Sequence, residues 1–271
     1  MGDWLIFSIL GLVQGITEFL PISSSGHLIV VREILGANTA NGLAVDAVLQ
    51  FGTILAVVVY FFKDLLNLAH TALKRVLGKP VEAESSRLLI ALIVGTIPAI
   101  IFGLFLEKTM DTLFRNTHLV AYALIAGSVV FLVAEYVSKR KETSLGVEAV
   151  GFWRSLCIGF FQSLALIPGM SRSGMTISGG LFLGLSREAS ARFGFLLSVP
   201  IILGAGLKKF FELNGAGAFT VIGTPLILGS VVAFVSGLLA IHFLLQFLRT
   251  HPLYVFAVYR VLLAVAILML L

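Results

Sequence analysis

The sequence predicts an all-helical polytopic membrane protein, with six full transmembrane helices and two re-entrant helical hairpins in an inverted-topology repeat. Three observations lead there. Of 271 residues, 58% are hydrophobic and only 12% are charged, the mean hydropathy is +1.05, and the apolar runs reach membrane-spanning length. Two of those runs stop in clusters of proline, glycine and serine. The same two runs share residues at a fixed spacing along the chain.

Taken in order, Leu5–Leu20 is apolar but runs into Pro21 and the cluster Ser23–Ser24–Ser25. Proline denies the helix a backbone bond there. Irregular backbone at membrane depth is tolerated only where protein covers it or it lines a wet cavity. The segment therefore reads as the first arm of a hairpin, with Gly26–Leu35 as the returning helix. Leu43–Phe62, Arg87–Leu106 and His118–Val137 follow as spans, each close to the ~20 residues a crossing needs. Phe152–Ile167 runs into Pro168–Gly169 and a second serine cluster, and Gly174–Leu183 returns. Arg187–Leu207, Thr224–Phe247 and Pro252–Leu271 complete the spans. Pro98 and Pro200 lie inside spans and read as tolerated kinks. Trp4 and Trp153 read as interfacial anchors. The start of the chain has no basic region and no small-residue cleavage site, so it is expected to be mature protein. The single cysteine, Cys157, excludes an internal disulfide.

The net charge of +5 sits mostly beside apolar runs, which suits the membrane surface. No aromatic–basic interleaving marks a nucleic-acid face. Lys63, Lys74, Arg75, Lys79 and Arg87 flank one loop, and Lys139, Arg140, Lys141 and Arg154 flank another. Both fall on one side of the six-span arrangement, joined by Arg187, Arg192 and Arg249. That side is expected to be cytoplasmic, with both termini outside the cytoplasm. Arg32, Lys108, Arg115, Lys208 and Lys209 fall on the other side. The stretch Lys63–Arg87 is read as a basic loop that sets orientation.

The repeat appears when Ser23 is set on Ser171, an offset of 148. Gly11 then meets Gly159, Gln14 meets Gln162, Ser25 meets Ser173 and Gly26 meets Gly174. DAVLQFG from Asp46 faces EASARFG from Glu188 at an offset of 142. Within a single membrane domain over 1–271, the repeats cover about 1–137 and 150–271. A hairpin and three spans per half insert the halves in opposite orientations, with the site expected near the midplane between them.

Each hairpin turn opens a new helix, whose N-terminus carries free N–H groups and a partial positive charge. Two of them converging favour an anion. Arg172 adds a planar fork suited to phosphate, and Ser171, Ser173 and Thr176 add hydroxyls. The first turn offers Ser23, Ser24 and Ser25 as nucleophiles and His27 as a proton acceptor. Glu18 is costly at membrane depth, at about 2.5–3.5 kcal/mol on the insertion scale. It therefore reads as an ion-pair partner, a cation ligand or a catalytic group. Gln14 lies one turn earlier on the same face. Plainer readings stand beside these: an interior histidine, a Glu18–Arg172 pair that only locks the halves, and serines that only cap helices. Asp46 and Glu188 read as helix starts, and His70, His118, His242 and His251 have no metal-ligand spacing.

GITEFLPISSSGH together with PGMSRSGMT resembles the undecaprenyl-diphosphate phosphatase family, also called the bacitracin-resistance family, over essentially the whole chain. The resemblance implies ten membrane segments, six spanning and four paired in hairpins, in the bacterial inner membrane with the site open to the periplasm. It implies hydrolysis of undecaprenyl diphosphate to the monophosphate, recycling a lipid carrier for peptidoglycan synthesis, assisted by a divalent cation, Mg²⁺ or Ca²⁺. The motifs carry over onto Gln14, Glu18, Ser23, Ser24, His27, Gly169, Ser171, Arg172, Ser173 and Thr176. Many members have Glu where this chain has Gln14.

On this reading Ser24, then Ser23, is the nucleophile, with His27 or water as the alternatives. His27 is the general base, and Glu18 either orients His27 or, with Gln14, binds the cation. Arg172, Ser23, Ser171, Ser173, Thr176 and Gly169 hold the phosphates. The competing class is a transporter or flippase using the same anion site. The partners are a polyprenyl diphosphate and membrane lipids, with no nucleic acid; a homodimer is left open.

Overall fold

The computed structural model describes residues 2–37, 42–113, 116–141, 144–215 and 218–270, with side chains set aside at 42–44, 47, 107–113, 205–215, 218–223 and 270. Arg115, Lys108, Lys208 and Lys209 thus lie outside the described residues or side chains. Eleven α-helices account for the described fold, and the one β-bridge, Leu145 with Leu185, is isolated.

The first pair is α1 (Asp3–Phe19) and α2 (Ser24–Leu35). Helix α1 stops because Pro21 follows and Leu20 is extended, at ψ 140°. Helix α2 closes at Gly36, whose left-handed φ of 59° lets its N–H and that of Ala37 bond back to the last turn. Next come α3 (Gly42–Tyr60) and α4 (Phe62–Val76). These two meet at a 79° bend. The expected basic loop is therefore largely the helix α4. Its Leu65 and Leu68 pack inward at helical spacing while Lys63, Lys74 and Arg75 stay toward water.

Helices α5 (Ala83–Leu113) and α6 (Thr117–Lys141) follow, then a 3-10 turn at Val147–Ala149. The second pair is α7 (Phe152–Leu164) and α8 (Arg172–Phe182). The chain ends with α9 (Arg187–Gly215), α10 (Ala218–Thr250) and α11 (Tyr254–Leu270). Pro98 and Pro200 sit inside α5 and α9 as expected.

Among the described residues, three helical stretches are long and apolar enough to cross a membrane: Ala83–Leu106, Thr117–Lys141 and Thr224–Thr250. The bent α3–α4 pair, counted as one broken span, makes a fourth, and α11 is a shorter apolar helix. Their lipid-compatible surfaces carry exposed Ile93, Phe105, Leu132 and Leu239. The molecule is a polytopic helical membrane protein.

Helix α1 packs on α10, and α7 packs on α5. Both crossings are close. A Cβ on Gly11 would strike the Gly229 carbonyl, and one on Gly159 would strike the Gly95 carbonyl. Helix α6 pairs with α11, and α3 lies between α9 and α10. The largest core gathers around α8 and α9, with Met175, Ile177, Phe193 and Leu196 against Phe131 of α6.

Ion pairs draw the basic segments to one end of the bundle. Arg192 meets Asp64 at 2.6 Å, Arg249 meets Glu188 at 2.7 Å, and Lys141 donates to the Phe182 carbonyl at 2.7 Å. Asp46 is an ion-pair partner of Arg32 rather than a helix start; Nη1 donates to Oδ2 at 3.0 Å.

Candidate active site

The two turns between paired helices share one local geometry. Ser23 and Ser171 each take a positive φ, 74° and 71°, and are the only non-glycine residues to do so among those described. Each caps the helix that follows. The Ser23 hydroxyl accepts from the Gly26 N–H at 3.4 Å, and the Ser171 hydroxyl accepts from the Gly174 N–H at 3.3 Å. Each hydroxyl also meets that of the serine two residues on, Ser25 at 3.1 Å and Ser173 at 3.2 Å. A side chain held at such a φ is strained, and strain of this kind concentrates at functional sites.

The turns touch each other reciprocally. The Gly169 N–H donates to the Ser25 hydroxyl at 3.3 Å, and the Ser173 hydroxyl donates to the Leu20 carbonyl at 3.2 Å. Arg172 of the second turn forms an ion pair with Glu18 of the first. The N-termini of α2 and α8 therefore lie side by side, an arrangement that favours an anion. Gly169 is required at its place: its φ is 99°, and a Cβ would meet the Val120 carbonyl oxygen at 2.5 Å.

Glu18, only 7% exposed, is the hub. One carboxylate oxygen takes Arg172. The other accepts from Ser24 Oγ at 2.8 Å and from Gln14 Nε2 at 2.9 Å. Among the serines of the first turn, Ser24 is the one on the carboxylate. A carboxylate bonded to a hydroxyl is placed to take its proton.

His27 bonds through both ring nitrogens. Its Nδ1 is 2.8 Å from the Ser23 carbonyl and its Nε2 is 2.7 Å from the Tyr259 hydroxyl. Neither nitrogen bonds a serine hydroxyl, and Glu18 makes no bond to His27. Thr176 is 1% exposed, and its hydroxyl donates to the Arg172 and Ser173 carbonyls of its own helix. Ser23, Ser171 and Ser173 lie at the paired turns, with their hydroxyls engaged in caps and cross-turn bonds.

No group of three or more His, Cys, Asp or Glu is arranged to hold a metal among the described residues. The turns supply one carboxylate, Glu18, and the Gln14 amide beside it. Such a donor set suits a cation that brings its own phosphate and water ligands, rather than a cage built by the protein.

The second turn lacks this hub. At the offset of 148, Gln162 replaces Gln14, but Leu166 stands where Glu18 would be. Gln162 is buried and neither end of its amide has a partner among the described residues; Ser178 Oγ is likewise unpartnered.

Two ionisable residues that the motifs do not mark stand out in the interior, Glu135 and Arg260. Glu135, fully buried, takes two bonds from Arg187 at 2.6 and 2.8 Å and one from the Leu253 N–H. Arg260 is fully buried on α11, and its neighbour Tyr259 holds His27. The available signal was simple: an ionisable side chain inside an apolar run is a site hypothesis by default.

Fold and site together define a helical membrane protein whose two paired turns bring a hydrogen-bonded serine and carboxylate, Ser24 and Glu18, against Arg172. The chain belongs to the bacitracin resistance protein BacA family, whose model matches residues 7–266. It is 41% identical over 269 residues to an undecaprenyl-diphosphatase of Chloroherpeton thalassium, covering 96% of this chain and 94% of that protein. It is 44% identical over 272 residues to an undecaprenyl-diphosphatase of Mycolicibacterium smegmatis, covering 99% and 97%. An undecaprenyl-diphosphatase of Mycobacterium leprae is 42% identical over 273 residues.

Proposed function

We propose that this protein is a membrane phosphatase that hydrolyses undecaprenyl diphosphate to undecaprenyl phosphate and inorganic phosphate. The activity returns a lipid carrier to peptidoglycan synthesis and underlies bacitracin resistance. The observation that carries the reading is the near-complete coverage by phosphatase relatives at 41–44% identity, joined to the Ser24–Glu18–Arg172 cluster. A transporter or flippase would use the paired helix N-termini but has no need of a serine hydrogen-bonded to a carboxylate, and it is not favoured.

The chemistry we assign runs as follows. The diphosphate sits against the N-termini of α2 and α8, with the isoprenoid tail in lipid. Arg172 turns from Glu18 to the phosphate and neutralises it, aided by Ser171 and Ser173. Glu18 then takes the Ser24 proton as Ser24 attacks the terminal phosphorus; the bridging P–O bond breaks, undecaprenyl phosphate leaves, and water deprotonated by Glu18 hydrolyses the phosphoserine, freeing Ser24 and inorganic phosphate; direct attack by water activated by Glu18, breaking the same bond, is the alternative. Phosphoryl transfer depends mainly on positioning and charge neutralisation, so Arg172 carries the largest share. Glu18 and Gln14 would hold a Mg²⁺ or Ca²⁺ arriving with the phosphates, which supplies further charge neutralisation.

The finer architecture also belongs to this proposal. Six spans and two re-entrant hairpins form two inverted repeats, about 1–137 and 150–271. The reciprocal turn contacts and the matching α1–α10 and α7–α5 crossings support it. The basic end of the bundle is cytoplasmic, and the site and both termini face the periplasm.

The test is phosphate release from a long-chain polyprenyl diphosphate by purified protein in detergent, with and without divalent cation. Wild type should release phosphate, chelation should slow it, and Ser24→Ala, Glu18→Gln and Arg172→Ala should abolish most of it while remaining folded. A well-folded wild type with no release would overturn the phosphatase reading.

A further inference from the structure

Helix α11 presents two neighbouring polar residues to the two turns, one on each. Tyr259 is 43% exposed, and its hydroxyl is 2.7 Å from Nε2 of His27. The His27 and Tyr259 rings lie parallel, 3° apart in plane with centroids 5.5 Å apart. Arg260 points the other way and is fully buried. It donates to the Gly169 carbonyl at 3.0 Å and the Met170 carbonyl at 3.2 Å, both in the second turn. It also reaches the Leu124 carbonyl at 3.1 Å and Ser128 Oγ at 3.2 Å on α6, and lies over the Phe131 ring at 4.7 Å. None of these partners is a carboxylate. A cation so deeply buried is costly unless it is hydrogen-bonded, and each of its three nitrogens here donates to at least one carbonyl oxygen. Gly127 leaves the room for it, since a Cβ there would strike the guanidinium.

We propose that Tyr259 and Arg260 are a pair of positioning residues through which α11 sets the two turns relative to each other. Tyr259 acts through His27, and Arg260 acts through the Gly169–Met170 turn that leads into Arg172. This rests on the phosphatase reading for its catalytic consequence. The Ser23 carbonyl only accepts, so Nδ1 of His27 carries the proton and Nε2 of the neutral ring is the acceptor. Tyr259 donates to it. A protonated His27 would instead donate to the same phenol oxygen, so the contact survives both charge states and the ring stays in place. Arg260, meanwhile, ties the second turn to α6 through one rigid planar group, which a lysine ammonium cannot reproduce.

The experiment has a kinetic and a spectroscopic arm on the full-length protein in detergent. With a polyprenyl diphosphate as substrate, Tyr259→Phe should lower kcat by about ten-fold with KM little changed. Because Tyr259 acts through His27, the double variant Tyr259→Phe with His27→Gln should be no slower than His27→Gln alone. Arg260→Lys should lower kcat/KM by about ten-fold or more in folded protein, and Gly127→Ala, which crowds the guanidinium without touching its charge, should do the same. In ¹⁵N-histidine spectra, the signal lost in His27→Gln should show a proton on Nδ1, and it should shift in Tyr259→Phe. Multiplying losses in the double variant, wild-type kcat in Tyr259→Phe or an unshifted His27 signal would overturn the Tyr259 role. Wild-type kcat/KM in both Arg260→Lys and Gly127→Ala would overturn the Arg260 role. A wild type that releases no phosphate sinks the phosphatase reading instead, and the spectra still decide whether Tyr259 holds His27.

Discussion

Glu18 accepts from three side chains at once, and two predictions follow from how they share it. Ser24 and Gln14 bond one oxygen while Arg172 takes the other. If Glu18 acts on the proton of Ser24, the two form one unit, and their losses do not multiply. Ser24→Ala and Glu18→Gln should each cost about 100-fold or more in kcat, and the double variant should cost little beyond either alone. Multiplying losses would separate the two roles. Arg172→Ala should cost about 10²–10³-fold, whereas Ser23→Ala, whose hydroxyl already serves as a cap, should cost under about ten-fold by the same measure. Phosphate release from the four single variants and the double variant checks both, and equal, mild effects from Arg172→Ala and Ser23→Ala would remove the clamp. Glu18, Ser24 and Arg172 were legible because polar residues grouped in an apolar chain demand a reason. The partners of His27 were not. Its bond to Tyr259 crosses 232 positions, and a tyrosine inside an apolar run has no local pattern that points to a histidine in another helix. Arg260 and Glu135 carried a signal in their charge alone, yet the groups that satisfy them are backbone carbonyls and a distant arginine, which no local pattern names.

At the scale of elements, the breaks between α1 and α2 and between α7 and α8 were readable from proline and serine, and these four helices begin and end within a few residues of expectation. Helix α4 was not, because its apolar residues make only a stripe and its charges resemble a loop. The turns themselves carry a prediction about stability. Ser171 holds a Cβ at φ 71°, a conformation that costs roughly 1–3 kcal/mol for a non-glycine residue. Its cap returns about 1 kcal/mol. Ser171→Gly relieves the strain and loses the hydroxyl, so it should melt at or above the wild-type temperature. Ser171→Ala keeps the strain and loses the cap, so it should melt below wild type. Thermal unfolding in detergent decides, and a glycine variant less stable than the alanine variant would mean that the turn is not strained. Both should lose activity, because each removes the hydroxyl assigned to the phosphate.

Across the whole molecule, charge sets orientation, and orientation decides which face of the membrane the phosphate leaves from. The ion pairs of Arg192 with Asp64 and Arg249 with Glu188 hold the basic segments at one end, and the α1–α2 pair starts from the other. Lysine and arginine near span ends are retained on the cytoplasmic side, so Asp3, at the start of α1, should lie in the periplasm, while Lys74 on α4 lies in the cytoplasm. The chain has a single cysteine, Cys157, so a Cys157→Ser background gives a clean reporter. In spheroplasts treated with a membrane-impermeant maleimide, Asp3→Cys should label at once and Lys74→Cys only after permeabilisation. The reverse pattern would turn the bundle over and open the site to the cytoplasm, where the released phosphate would appear inside the cell. The two paired turns, and the chemistry assigned to them, would be unchanged by that outcome, because their geometry is set by contacts within the bundle: Gly169 on Ser25, Ser173 on Leu20 and Arg172 on Glu18.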